Sequence, residues 1–391
     1  MSGTSVDGVD LVLAELEGRL PRLEGSRIAT AAVPRLEGSR IATAAVPRLE
    51  GSRIATAAVP RLEWRVLEHR EAFFPAGLRE RLLRALHGDS LTRELTLLHH
   101  ELGRFYAEAA LPFAGRAELA AVHGQTVWHE PPHATLQIGE AAYLAEALGV
   151  PVAADFRPSD LALGGEAAPL VPYPDLLLYG EAGVRRAIHN LGGISNLTYL
   201  GGLEPAELLA FDTGPGNCLL DEAAAWVGLT HDPGGQLAQQ GRVNEEKLSA
   251  WLSHPYFHRP PPKSTGREIW RLDQLETEGF APRDLLATLT ELTARSIAEA
   301  YRRFVLPRGL EEVWVAGGGA YNQTLMRRLR ELLPVPIHTF EERGHSSKIR
   351  EALAFAVLGY LRFLGLPNVL PQVTGAKSAA VAGKLLVPGV R

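Results

Sequence analysis

Apolar residues along the 391-residue chain change their spacing from one region to the next. VDLVLAELEG (9–18) and EWRVLEHREAFF (63–74) read as extended strands, so the chain starts as a meander. From 76 to 112, AGLRERLLRALHG and LTRELTLLHHELGRFYAEAALPF place apolar residues three and four apart, which predicts amphipathic helices. Short apolar runs follow, each ending in glycine or polar residues: ELAAVHGQT, GVPVAADFRPSD, RRAIHNLGGISNLTYLGG and ELLAFDTGPGN. They alternate with the predicted helices DEAAAWVGL, EEKLSAWL, RDLLATLTELTARSIAEAYRRFV, NQTLMRRLRELL and REALAFAVLGYLRFLG. Such alternation predicts an α/β protein with its sites in the turns at strand ends.

Composition narrows the class. The length predicts two domains, or one large two-lobed unit around a cleft. A hydrophobic content of 46% with 22% charged residues suits a globular protein with a full core. No run of 18 uncharged apolar residues occurs, and the first ten residues are not a secretory leader, so the expectation is a cytoplasmic protein without a membrane partner. One cysteine, Cys218, allows neither an internal disulfide nor a cysteine-based zinc site, and reads as a small buried hydrophobe. A net charge of −5 without a long basic run argues against nucleic acid.

One segment stands apart. PRLEGSRIATAAV occupies 21–33 and recurs unchanged at 34–46 and 47–59, with a partial PRLE at 60–63. Thirteen identical residues match no solenoid unit, since those run roughly 20 to 50 residues and diverge. The repeat reads as an expanded surface loop between two strands. A fold tolerates such a loop, because doubling its length costs only about 0.6 kcal/mol of closure entropy.

The remaining chemistry lies in glycine-rich turns. GTSVDGVD (3–10) offers Gly3 for close backbone approach, Thr4 and Ser5 as donors, and Asp7 and Asp10 as candidates for hydrated magnesium; it lacks the lysine and spacing of a P-loop. NLGGISNLT (190–198) offers exposed amides for a second phosphate, a plain hairpin bend being the alternative. VAGGGAYN (315–322) leads from an apolar strand into a helix, where three glycines let a flat group or phosphate lie on backbone. Asp212, at the end of ELLAF, is placed as a general base or as a cap on its own bend. Glu351 opens an apolar helix, where the helix dipole alone is reason enough for a carboxylate. His123, His129 and His133 lie in a proline-containing loop at spacings that do not suit zinc.

Taken together, these turns resemble the anhydro-N-acetylmuramic acid kinase family, within the superfamily of sugar kinases, actin and chaperone ATPases. The resemblance runs through MSGTSVDGVD, HGQTVWHEPP, LQIGE, ADFRPSDLALGG, APLVP, NLGGISNLT, FDTGPGN, PKSTGRE, VAGGGAYN, the EALAFA helix and PQVTGA, in family order. It implies a bilobed actin-like, ribonuclease H-like α/β fold around an ATP cleft. Lobe I is expected over 1–150 with the repeat inside it, completed by 351–391, and lobe II over 151–350. The implied reaction opens the 1,6-anhydro ring of anhydro-N-acetylmuramic acid with water and moves the γ-phosphoryl of ATP to the 6-oxygen, in bacterial cell-wall recycling.

The resemblance also implies roles. Gly3, Thr4, Ser5, Val6, Asp7, Gly8, Val9 and Asp10 would bind ATP phosphates, with Asp7 on Mg2+. Asn190, Gly192 and Gly193 would form the second phosphate turn, and Gly317, Gly318 and Gly319 would lie near the nucleoside. Asp212 would activate water, and Glu351 would lie at the sugar site. A homodimer is the family expectation. Two departures stand out: the first phosphate turn is expected to follow a strand of about five residues, so the true start is expected upstream of Met1, and Ala167 stands where the family pattern GGxGAPLVP has glycine. The rivals are a kinase of another anhydrosugar such as levoglucosan, a non-catalytic ATP-binding regulator, and a chain made defective by these departures.

Overall fold

The computed structural model describes residues 8–19, 61–86, 88, 90–267 and 269–389. The repeat and the turn residues Gly3, Thr4, Ser5, Val6 and Asp7 lie outside them.

Strand β1 (Gly8–Arg19) pairs antiparallel with β2 (Arg61–Phe73), with a bulge after Leu13. β3 (Ala120–Val122), β6 (Val152–Ala154) and β12 (Lys384–Leu386) form a three-stranded sheet in the order β12-β6-β3, and β4 (Gln125–Glu130) and β5 (Ala134–Ile138) form a hairpin. The largest sheet has the order β11-β10-β7-β8-β9, built from β7 (Arg186–Leu191), β8 (Ile194–Leu200), β9 (Leu209–Pro215), β10 (Glu312–Ala316) and β11 (Ile337–Thr339). Its β11-β10-β7 half is parallel and its β7-β8-β9 half antiparallel. β12 therefore returns the C-terminal part of the chain to the sheet built from residues 120–154.

Eight helices matter to the site. They are α1 (Ala76–Leu86), α2 (Thr92–Ala110), α3 (Ala142–Leu148), α4 (Pro172–Tyr179), α5 (Cys218–Ala225), α6 (Pro282–Ala300), α7 (Gln323–Leu332) and α8 (Arg350–Phe363). The apolar stripes of α6 and α7, through Ile297, Leu325 and Leu329, cover one face of the large sheet against Leu197, Phe211 and Val315. On the other face α4 and α8 pack Leu176, Leu353 and Val357 against Ile188, Leu200 and Trp314. Covered on both faces, β7 is buried at every position except Asn190, the pattern of a central strand. α8 also turns Phe355 and Leu358 toward Ala153 of the small sheet and Phe156 just beyond it, so one helix serves two cores.

The α/β class and the amphipathic helices follow the sequence pattern, with differences that bear on the site. RRAIHNLGGISNLTYLGG is two strands, β7 and β8, joined by a hairpin bend at Gly192 and Gly193. The helix expected at DEAAAWVGL begins earlier, at Cys218, and stops at Ala225. Asp212 does not end its strand. β9 continues to Pro215 because a bulge opposite Ser195 and Asn196 absorbs Thr213, and bulges re-aim the side chains beside them.

Candidate active site

The Asp212 carboxyl is half-buried in β9 and is gripped by the 263–265 loop. The Thr265 amide donates to its Oδ2 at 2.9 Å, its own amide donates to the Lys263 carbonyl at 3.1 Å, and the Tyr256 hydroxyl donates to its carbonyl at 2.7 Å. Burial pushes the carboxyl up to about 7, with the nearby Glu166 carboxylate adding to the shift; the Thr265 amide and the Lys263 ammonium oppose it. A carboxyl poised near neutrality and held by its backbone is suited to take a proton from water. Lys263 is itself buried, donates to the carbonyls of Tyr256 and Phe257 at 3.2 and 3.4 Å, and is pulled down to about 8 by that burial. Glu166 is exposed and accepts from the Ser264 hydroxyl at 3.0 Å.

The glycine turns of the large sheet converge beside it. The Gly216 and Cys218 amides donate to the Gly193 carbonyl at 3.0 and 3.1 Å, and the Asn217 amide to the Gly192 carbonyl at 2.8 Å. These bonds fasten the hairpin bend to the loop opening α5. A β-carbon on Gly193 would come within 2.4 Å of the Arg267 guanidinium, so that cation rests on the bend itself. Gly317, at φ 87°, lies against Asn190 and Leu191, and the Asn217 side chain donates to the Leu191 carbonyl at 3.0 Å. Asn190, Gly192, Gly193 and Gly317–Gly319 thus occupy one place.

The three glycines differ in purpose. A β-carbon at Gly317 would meet Asn190 Oδ1 at 2.7 Å and one at Gly319 would meet Leu191 Cβ at 2.6 Å, so both are required by packing. Only Gly318 keeps an open face, its nearest neighbour being Asn217 at 3.7 Å. The glycines also do not open α7 directly; a 3-10 turn intervenes and Asn322 caps the helix, accepting from the Leu325 amide at 3.0 Å.

A second group surrounds Glu351. Arg157 donates to His123 Nε2 at 3.2 Å and to the Ala167 carbonyl at 2.6 Å. Burial pulls Arg157 down to about 10, and the charge of the Glu351 carboxylate opposes that shift. His123 is buried and held well below its usual range, so it is neutral, with Nδ1–H given to the Gly124 carbonyl at 2.8 Å. Ala167 carries the left-handed backbone expected of glycine, at φ 55°, and is fully buried. Its amide donates to Asp160 Oδ2 at 2.7 Å, and the other oxygen of Asp160 accepts from Thr374 Oγ1 at 2.7 Å. The 164–172 loop therefore runs between the two groups, Glu166 toward Asp212 and Ala167 toward Arg157 and Glu351.

Of the N-terminal turn, Gly8, Val9 and Asp10 lie in β1. Among its described members, Gly8 pairs with Phe73 and Val9 is buried in the core with Phe74 and Leu78. The Asp10 carboxylate is 2.9 Å from His69 Nε2 on β2.

The sequence profile of the family described as "Anhydro-N-acetylmuramic acid kinase" matches residues 41–388. The curated protein of that name from Gloeobacter violaceus is 40% identical, with 98% of this chain and 96% of its own covered. Those of Cyanothece sp. and Salinibacter ruber are 38% and 36% identical, covering 98% and 100% of this chain and 97% and 95% of theirs. The chain belongs to the anhydro-N-acetylmuramic acid kinase family. Residue reasoning gave no role to Arg157, Glu166, Lys263 or Arg267, although the family motifs ADFRPSD and PKSTGRE contain three of them. The available signal was a basic residue inside a family motif at a strand end or loop. Behind the site the family fold is joined by a buried ion pair, Arg350 of α8 with both oxygens of Asp175 on α4.

Proposed function

We propose that this cleft catalyses the family's reaction, ATP-dependent opening and 6-phosphorylation of 1,6-anhydro-N-acetylmuramic acid, with Asp212 as the general base. Asp212 takes a proton from water as its oxygen bonds to the anomeric carbon. The bond from that carbon to the bridging oxygen breaks, and that oxygen accepts the γ-phosphoryl as ADP leaves. The observation that carries this reading is a carboxyl held near pH 7 by burial and fixed at its backbone and at one oxygen. A positioned base of this kind contributes roughly 100- to 10,000-fold.

The remaining roles follow from placement. The bend at Asn190, Gly192 and Gly193, with Arg267 on it and the open face of Gly318 beside it, suits nucleotide phosphates and the adjoining nucleoside. Glu351, whose charge acts on Arg157, suits the polar face of the sugar. Magnesium bound to the phosphates keeps most of its water and needs one or two protein carboxylates. Asp7 is the sequence candidate, and Glu166, exposed beside Asp212 with a neutral hydroxyl partner, is the described carboxylate that fits. When bound, the ion neutralises charge developing on the phosphates.

The lobe boundaries, 1–150 with 351–391 and 151–350, and a cytoplasmic homodimer belong to the same proposal. No described helix is long and apolar enough to cross a membrane. The test is to incubate the protein with ATP, magnesium and the anhydrosugar. The expected product has gained one water and one phosphoryl group by mass. Turnover of levoglucosan in preference to the amino sugar would overturn the substrate assignment.

A further inference from the structure

Four buried polar side chains inside the large sheet form one chain of hydrogen bonds that ends beside Asp212. His189 of β7 lies 3.0 Å by Nδ1 from the Tyr301 hydroxyl and 2.8 Å by Nε2 from Ser195 Oγ on β8, and Ser195 Oγ lies 2.6 Å from Thr213 Oγ1 on β9. The direction of every bond follows from one end. Thr213 donates to the Ser195 carbonyl at 3.2 Å, so its hydroxyl has no proton left for Ser195 Oγ and accepts from it. Ser195, its proton given, accepts from His189 Nε2–H, and the bare Nδ1 accepts from Tyr301. Burial pulls the imidazole down to about 3, with the Arg350 charge adding to the shift, so the ring stays neutral and can hold this one tautomer. Tyr301, stacked on the His189 ring, opens the π-turn Tyr301–Val305 that follows α6.

The far end of the chain is the bulge. Ser195 pairs with Gly214 and Asn196 with Asp212, so Thr213 is the extra residue, with no partner across the ladder. Its hydroxyl supplies that partner by bonding both the hydroxyl and the carbonyl of Ser195, and so fixes which residue of β9 bulges. The choice matters, because a slip of one residue turns the side chains of a strand to the other face of the sheet. We propose that His189, Ser195 and Thr213, anchored at Tyr301, are positioning residues for Asp212: they lock the bulge at Thr213 and thereby aim the Asp212 carboxyl at the 263–265 loop. The inference rests on Asp212 as the general base. The groups that face Asp212 itself, Thr265, Lys263, Tyr256 and Glu166, stand outside the chain, so its contribution can be removed without touching them.

The test compares Thr213→Val, which keeps the shape and loses the hydroxyl, with Thr213→Ser, which keeps the hydroxyl. Thr213→Val is expected to lower kcat roughly 10- to 100-fold, as misplacement of a reacting group does, while KM for ATP stays within about twofold of the parent. The acid limb of kcat/KM is expected to move down by about half a pH unit or more, because burial is the main cause of the raised value and a displaced carboxyl meets more water. Thr213→Ser is expected to keep kcat within about threefold and the limb in place. His189→Leu is expected to behave as Thr213→Val, and His189→Gln, whose amide offers one donor and one acceptor, to restore part of the loss. A Thr213→Val limb that stays in place or moves up, or equal losses of kcat in the two Thr213 variants, would overturn the proposal. A limb that survives in Asp212→Asn overturns the base assignment and this proposal with it; a limb lost there but unmoved in Thr213→Val overturns this proposal alone. If the Thr213 and His189 variants do not fold, nitrogen NMR of the unaltered protein decides. A neutral His189 protonated at Nε2 from pH 5 to pH 8 supports the chain, and an Nδ1-protonated or charged ring overturns it.

Discussion

The large sheet and the small sheets solve the same packing problem to different degrees. β11-β10-β7-β8-β9 is paired without a break and covered by α6 and α7 on one face and α4 and α8 on the other. The β1-β2 and β12-β6-β3 sheets are not paired with each other among the described residues, and α8 packs across both. The proposed base and the glycine bend at Gly192 and Gly193 sit on the complete sheet, whereas Gly8, Val9 and Asp10 open β1 in the divided one. Position of the chemical groups and completeness of the frame therefore separate in this molecule. Asp212 is fixed by the large sheet and the 263–265 loop, while the proposed phosphate contacts from the N-terminal side would depend on the divided half.

The sharpest break in that comparison removes chemistry and leaves the large sheet intact. Asp212→Asn is expected to lower kcat by roughly 100- to 10,000-fold while ATP binding and the far-ultraviolet circular dichroism stay as in the parent. The same change alters stability in a direction that can be worked out. A carboxyl raised from 3.8 to about 7 is bound more tightly to its proton in the folded state, so its contribution is full below pH 4 and is lost as pH climbs to about 7. Asp212→Asn is expected to flatten that slope in urea titrations across the range.

The next break is at the joint between the two halves. Arg350→Met strands the buried Asp175 carboxylate and is expected to cost about 3–5 kcal/mol by urea unfolding, and Arg350→Met with Asp175→Leu to recover most of it. A double variant as unstable as the single one would show that helix packing, not charge pairing, holds the joint. Gly193→Ala is a smaller change. Its β-carbon displaces Arg267 from the bend, and KM for ATP is expected to rise about tenfold, close to the worth of one charged hydrogen bond. The smallest effect is a gain. Ala167→Gly removes a left-handed alanine that costs about 1–2 kcal/mol, against about 0.5–1 kcal/mol of added chain entropy, so stability should rise by about 0.5 kcal/mol.

What could be read from the chain, and what could not, divides along range. Helices such as α2 and α7 carry their own period of three and four, and strands such as β10 their own apolar run, so their existence was legible. The Ala167 departure was also legible, because a missing glycine marks a backbone that wants φ above zero. Illegible were features made by distant neighbours. β9 runs through Asp212 because Ser195 and Asn196 accommodate a bulge, and Gly317 and Gly319 are glycine because Leu191 and Asn190 lie against them. Arg157, Lys263 and Arg267 acquire their places only when loops about 50 to 190 residues apart meet. The partner of Asp10 was illegible for the same reason: His69 lies across the whole repeat.

The central claim is that burial sets Asp212 near neutrality so that it can accept a proton from water. The pH dependence of kcat/KM tests it most directly. The account predicts an acid limb with an apparent pKa near 7 in the parent, with activity rising as the carboxyl ionises, and loss of that limb from the residual rate of Asp212→Asn. A limb unchanged in the variant, or a parent rate flat from pH 5 to pH 8, would contradict it.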